Sequence, residues 1–168
     1  MHRRTFLLLS AMASVGLVGG TLTAFGAGSP RDTHVAVRVV DGDTLAVDGQ
    51  RVRLFGIDAP ERDQMCEADG RSYPCGRAAS EALARLIGNG RLTCAEHDRD
   101  AYGRSVATCT AAGHDLTREM VAEGWAVAHT RYSRDYARAE AEARRARRGL
   151  WQGRFERPEQ YRVEHRPG

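Results

Sequence analysis

Two turn signals interrupt the stretch "VVDGDTLAVDGQRVRLFGI", residues 39–57, and leave only "TLAV" between them. Four residues of that kind, bounded by Asp-Gly pairs, form a strand rather than a helix. The flanks "HVAVRVV" (34–40) and "RVRLFGI" (51–57) alternate in the strand manner. The stretch therefore folds as an antiparallel meander, with Asp48-Gly49 as the pair that two-residue hairpins favour. Downstream, residues 59–75 are polar and punctuated by Pro and Gly, which describes a loop. "GRAASEALARLIG" sets Ala78, Ala82, Leu83 and Leu86 at helical spacing and stops at Gly88. "DLTREMVAEG" is a short helix ended by Gly124. From Asp135 to Arg148 one narrow apolar stripe, continued to Leu150, runs through Tyr136, Ala139, Ala143 and Ala146 on an Arg/Glu-rich helix. About five strands with interposed helices give an α+β domain built on a small barrel. The domain spans residues 34–153, and residues 154–168, which lack periodicity, form a C-terminal tail.

Four cysteines constrain the same domain: Cys66, Cys75, Cys94 and Cys109. No C-x-x-C pair occurs, which argues against a zinc ribbon or a thioredoxin-type site. Three pairings are possible. A hairpin of "GRLTCAEH" and "RSVATCT" would turn on Asp100–Gly103 and place Cys94 opposite Cys109, close enough to bridge. Closing that loop is worth about 3 kcal/mol in the chain-entropy account. Cys66 would then pair with Cys75.

Disulfides suit an exported protein, and the N-terminus agrees. Residues 1–26 carry Arg3 and Arg4, an apolar run from Phe6 to about Val18, and small residues around Ala24-Phe25-Gly26. That is the layout of a signal peptide, with a retained membrane anchor as the other reading. Arg3-Arg4 suits a twin-arginine route and an ordinary one equally. Residues 27–33 are a linker. The expected location is periplasmic or extracellular, with no membrane attachment unless the leader stays.

The 25 basic residues are all Arg, and there is no Lys. Without Arg3 and Arg4, 23 Arg face 22 acids, so bulk charge does not mark a nucleic-acid binder. Any phosphate recognition must be local, and Arg is suited to it because its planar fork grips two oxygens. The meander concentrates such groups. Asp41, Asp43, Asp58 and Glu61 lie at turns and strand ends, where carboxylates and carbonyls suit a hard cation such as Ca²⁺. The spacing is not that of an EF-hand. Arg51, Arg53 and Phe55 share one face of their strand, and Arg104 follows the turn "DAYG". Taken singly, each is an ordinary turn or surface residue.

Taken in order, "VVDGDTLAV", "VRLFGIDAPE" and "DAYGRSVA" resemble the thermonuclease (staphylococcal nuclease-like) family. "DLTREMVAEGWA" and "EAEARRARRGLW" are similar to its last helices, so the resemblance covers about residues 34–151. It implies an OB-fold five-stranded β-barrel with about three packed helices. It implies Ca²⁺ held by Asp43, Asp58 and the backbone carbonyl of Ala59, with Asp41 close by. Arg53 and Arg104 match the arginines that clamp the scissile phosphate, and Glu61 matches the general base. Tyr102 and Tyr132 fall near tyrosines that contact the nucleotide. The implied activity is Ca²⁺-dependent hydrolysis of phosphodiester bonds in DNA, RNA or both, by a monomer without a stable protein partner. Replacing Arg53, Glu61 or Arg104 singly should then stop hydrolysis and leave the fold intact. Two other readings stand beside it. One is a catalytically silent OB-fold module that binds single strands. The other is a structural Ca²⁺ site in an envelope-associated domain. The lack of Lys, the cysteines and the added loop "RDQMCEADGRSY" depart from the family pattern. His97, His114 and His129 receive no role.

Overall fold

The structure, a computed structural model, describes residues 36–165. The leader and linker of residues 1–33 lie outside them. The expected meander is present as β1 (Val37–Val39), β2 (Thr44–Val47) and β3 (Gln50–Leu54). The β2–β3 turn has both central residues at positive φ, Asp48 at 48° and Gly49 at 81°. That is the backbone an Asp-Gly hairpin selects, and it sets the register Val47 to Gln50. The chain continues as β4 (Ile57–Asp58), β5 (Cys66–Ala68), β6 (Arg71–Tyr73) and α1 (Cys75–Ile87). Then follow β7 (Leu92–Arg99), β8 (Ser105–Ala111), β9 (His114–Asp115), α2 (Leu116–Ala122) and β10 (Val127–Ala128). Helix α3 (Ala137–Arg145), a 3-10 turn (Gly149–Gln152) and α4 (Pro158–Glu164) complete it.

The main sheet runs β1-β2-β3-β8-β7, with β9 added to β8. All its pairings are antiparallel except β3 with β8, which is parallel. Between β3 and β8 the chain passes through β4, β5, β6, α1 and β7, a connection long enough for this parallel crossover. Two short pairs, β4 with β10 and β5 with β6, stand outside the main sheet. The core lies between the sheet and the helices. Leu45, Val52 and Leu54 point from β2 and β3 toward Leu83 of α1 and Leu116 and Met120 of α2. The alternation in "RVRLF" is thus resolved: Val52 and Leu54 go inward, while Arg51 is exposed and Arg53 half-buried.

Cys94 pairs in register with Cys109 and bridges to it, and Cys66 bridges to Cys75. No cysteine remains free. The first bridge ties β7, exposed along nearly all its length, to the buried Cys109 of β8.

The structure departs from expectation in three places. Among the described residues there are four α-helices rather than about three, and the sheets contain more than five strands. Residues 59–75 are not wholly loop, because β5 and β6 form a hairpin across Asp69 (φ 50°) and Gly70 (φ 71°). The Asp-Gly signal was there, but its strands are too short and polar to alternate visibly. The stripe on α3 also breaks. Tyr136, Ala139, Ala143 and Leu150 are buried, while Ala146 is exposed. The helix ends at Arg145, and Arg147 and Gly149 turn the chain at positive φ. Leu150 therefore reaches the core by a second route.

Candidate active site

The acids of the meander converge because two glycines let other segments approach. Gly42, in the turn before β2, faces α1, and a Cβ on it would lie 2.7 Å from the Cβ of Ala59 and 2.8 Å from that of Ala79. Only glycine lets this turn sit so close to β4 and α1. Asp43 follows it, 3% exposed, and its N–H donates to Asp41 Oδ1 at 3.0 Å. Gly76, in the first turn of α1, faces the backbone carbonyl of Glu61, where a Cβ would clash with main chain that cannot yield. Gly76→Ala is expected to destabilise the fold by about 3 kcal/mol and to shift Glu61. The measurement is the urea midpoint, and an unchanged midpoint would mean that this contact is not tight.

Arg53 projects from the half-exposed face of β3 and spans two buried carboxylates. Its Nη1 donates to Asp43 Oδ1 at 2.8 Å, and its Nη2 to Asp58 Oδ1 at 2.7 Å. Asp43 Oδ1 also accepts from Thr44 Oγ1 at 2.9 Å, and Oδ2 from the Ala59 N–H at 2.9 Å. Asp58 ends β4, whose pairing with β10 fixes it opposite Val127. Glu61 follows Pro60, and its main chain is held by Gln64, whose Oε1 accepts from the Glu61 N–H at 3.2 Å.

A further arginine completes the cluster. Arg162, on α4, donates from Nη1 to Asp58 Oδ1 at 2.9 Å and to Glu61 Oε1 at 3.0 Å. Its Nη2 donates to Asp58 Oδ2 at 2.9 Å. Reading the sequence missed Arg162 because the terminal segment shows no hydrophobic periodicity. A capping pattern was nevertheless present, with Pro158 at the first helical position, Glu159 in the first turn and Arg162 in the last.

Electrostatics follow from this sharing. Burial pushes the Asp43 carboxyl up to about 7 against the pull of Arg53, and the Asp41 and Asp58 charges add to the rise. For Arg53 burial works against the charge, but the Asp43 and Asp58 carboxylates outweigh it and hold the guanidinium ionised. The two trends are compatible because one guanidinium serves two acids. Over the range from about pH 4 to 7, the folded protein therefore keeps an Asp43 proton that the unfolded chain has lost. Without divalent cations, stability should fall as pH rises from about 4 to 7, and Asp43→Asn should flatten that fall. Urea midpoints across this range in chelator check it. Equal slopes for both proteins would show that Asp43 does not titrate there.

The remaining candidates stand apart from this cluster. Arg104 follows the β7–β8 turn, where its Nε donates to Asp100 Oδ2 at 2.6 Å. Its guanidinium lies 5.6 Å from the ring centre of Tyr102. Tyr102 is 81% exposed and Tyr132 71% exposed, the latter beside His129 with ring centres 4.7 Å apart. Register places Arg104 at the same end of the sheet as Arg53, since Ser105 pairs with Val52. His97 lies against Phe55, ring centres 4.5 Å apart.

The donors at the centre fit a hard cation. Asp43, Asp58 and the adjoining Ala59 backbone offer oxygen only, and the carboxylates are buried beside one another. Among the described residues no group of three or more His, Cys, Asp or Glu side chains is arranged to hold a metal. Two carboxylates therefore need a backbone or solvent oxygen to complete the set.

Comparison with known proteins shows the family. Residues 51–153 match the family model described as "Staphylococcal nuclease homologue". The chain is 35% identical over 147 residues to the succinoglycan biosynthesis protein ExoI of Rhizobium meliloti (strain 1021), covering 83% of this chain and 77% of that protein. It is 34% identical over 122 residues to an uncharacterized endonuclease of Escherichia coli O157:H7, covering 68% and 74%. With the thermonuclease of Staphylococcus hyicus it shares 28% identity over 130 residues, covering 71% and 75%.

Proposed function

Since the chain belongs to the staphylococcal nuclease homologue family, whose fold is of OB type and whose members depend on a metal, we propose that it is an exported, Ca²⁺-dependent nuclease. It would hydrolyse phosphodiester bonds in DNA, RNA or both. The observation that carries this reading is the convergence of the buried Asp43 and Asp58 with the half-buried Arg53, and of Glu61 beside Asp58 through Arg162, at one end of the meander.

Each residue has work that its position supports. Asp43, Asp58 and the Ala59 carbonyl would hold Ca²⁺, with Asp41 keeping Asp43 in place through its N–H. Bound there, the ion would supply positive charge to a phosphate oxygen. Arg53 directs its two Nη groups at one oxygen each of Asp43 and Asp58, and the same planar fork could grip two oxygens of a phosphate. Arg104 would approach from the next strand as the second half of the clamp, with Tyr102 and Tyr132 as exposed stacking surfaces for the nucleotide. Glu61 would take a proton from water as the water oxygen bonds to phosphorus. The P–O ester bond then breaks, and the departing oxygen takes up a proton from solvent.

Export is supported by two disulfides and no free thiol. Among the described residues, no helix is long and apolar enough to cross a membrane.

The test is cleavage of single-stranded DNA and of RNA by the full chain, with Ca²⁺ and with chelator. Cutting that requires Ca²⁺ is expected. Undiminished cutting in chelator would remove the calcium assignment, and a strand bound but uncut would make the protein a binding module.

A further inference from the structure

The C-terminal segment is built into the fold only up to the start of α4. Arg154 and Glu67 exchange both backbone hydrogen bonds, at 2.8 and 2.9 Å, so residue 154 extends the β5–β6 hairpin. The buried side chain of Gln64 donates through Nε2 to the Glu156 carbonyl at 2.7 Å. Phe155 packs edge-on against Trp151, and Pro158 is buried. The hairpin that receives this segment is itself stapled by Cys66–Cys75. The added loop and the C-terminal segment are thus one construction.

Beyond Pro158 the anchoring thins out. Of the following helical residues none is buried. Glu159 pairs with Arg131 at 3.3 Å between exposed side chains, a contact of little worth. Arg162 is different. It reaches a carboxylate that is 2% exposed, engages both of its oxygens, and extends to Glu61. Burial works against its charge, yet the Asp58 and Glu61 carboxylates hold the guanidinium firmly ionised.

Both oxygens of Asp58 are therefore committed to guanidinium groups, Oδ2 to Arg162 and Oδ1 to Arg53 and Arg162 together. A cation held by Asp58 needs at least one of those oxygens, and a divalent ion brought into contact with them is repelled by the guanidinium groups already there. We propose that Arg162 is a built-in competitor for the divalent cation: it determines how much cation the site requires, and the cation displaces it from Asp58 and Glu61. This rests on the reading that Asp58 is a cation ligand. The same displacement frees Glu61 from its guanidinium partner, so occupation of the site and release of the base are one event. The hairpin-anchored segment then keeps α4 close enough to return.

The experiment is Ca²⁺ titration of the full chain by calorimetry for the wild type, Arg162→Gln and Arg162→Lys. The Gln variant should bind Ca²⁺ about tenfold more tightly, since charge-assisted bonds to Asp58 no longer oppose the ion. The Lys variant should fall between, keeping the charge and losing the fork. A readout on the wild type alone guards against a misfolded variant: amide hydrogen exchange in residues 161–164 should speed up when Ca²⁺ is added. Tighter binding in the Gln variant together with faster exchange establishes the competition. Equal or weaker binding in the Gln variant, or unchanged or slower exchange in the wild type, overturns it. If Ca²⁺ binds both proteins equally, the calcium reading survives and the competition does not. If neither binds Ca²⁺, both fall.

Discussion

Glu61→Gln is expected to lower kcat by about 10²–10⁴-fold while the unfolding midpoint stays near the wild-type value. The magnitude is that of a lost general base, because the amide cannot take the proton of the attacking water. The structure explains why the fold should tolerate the change. The Glu61 N–H and carbonyl are held by Gln64, and the substitution touches neither. Its side chain is 33% exposed and meets Arg162 through one oxygen, which the amide oxygen of Gln can replace. A kcat within threefold of wild type would remove Glu61 from the mechanism.

Arg53→Ala should do more than stop hydrolysis. The sequence reading makes Arg53 a phosphate clamp whose loss stops hydrolysis and leaves the fold intact. In the structure Arg53 is the link between Asp43, 4% exposed at its side chain, and Asp58, 2% exposed. Removing it leaves two buried acids facing one another, with Arg162 on only one of them. Breaking a buried pair from one side costs about 3–5 kcal/mol, and the lower end applies because the Arg53 side chain is 21% exposed. Calcium should restore much of that loss, since it would supply positive charge between the same carboxylates. The wild type should gain less from Ca²⁺, having Arg53 in place. The check is the urea midpoint of both proteins with Ca²⁺ and with chelator. A variant as stable as wild type in chelator would mean that the Asp43–Arg53–Asp58 bridge does not support the fold.

How much of this could be read beforehand depended on how local the cause was. The Asp48-Gly49 hairpin, the helix stop at Gly88 and the placing of Cys94 opposite Cys109 each follow from a few adjacent residues, and each is present. The acids and Arg53 stood out because carboxylates and a guanidinium are unusual in an otherwise apolar strand pair. The β5–β6 hairpin escaped notice because its strands are three residues each and lack an apolar face. Helix α4 escaped for a related reason: it presents no apolar stripe, and only Pro158 within it is buried.

What the sequence determined by itself is the set of local shapes and the chemical inventory: short strands at Asp-Gly turns, helices ended by glycine, oxygen ligands and guanidinium groups. Those follow from backbone sterics and hydrogen bonding over a few residues. Which of the inventory meets was decided by tertiary structure. Arg162 lies 104 residues from Asp58 along the chain, and no period or spacing connects them. Their contact exists because a disulfide-stapled hairpin holds residues 154–156 and a buried aspartate, taken out of water, binds whichever cation the fold carries to it.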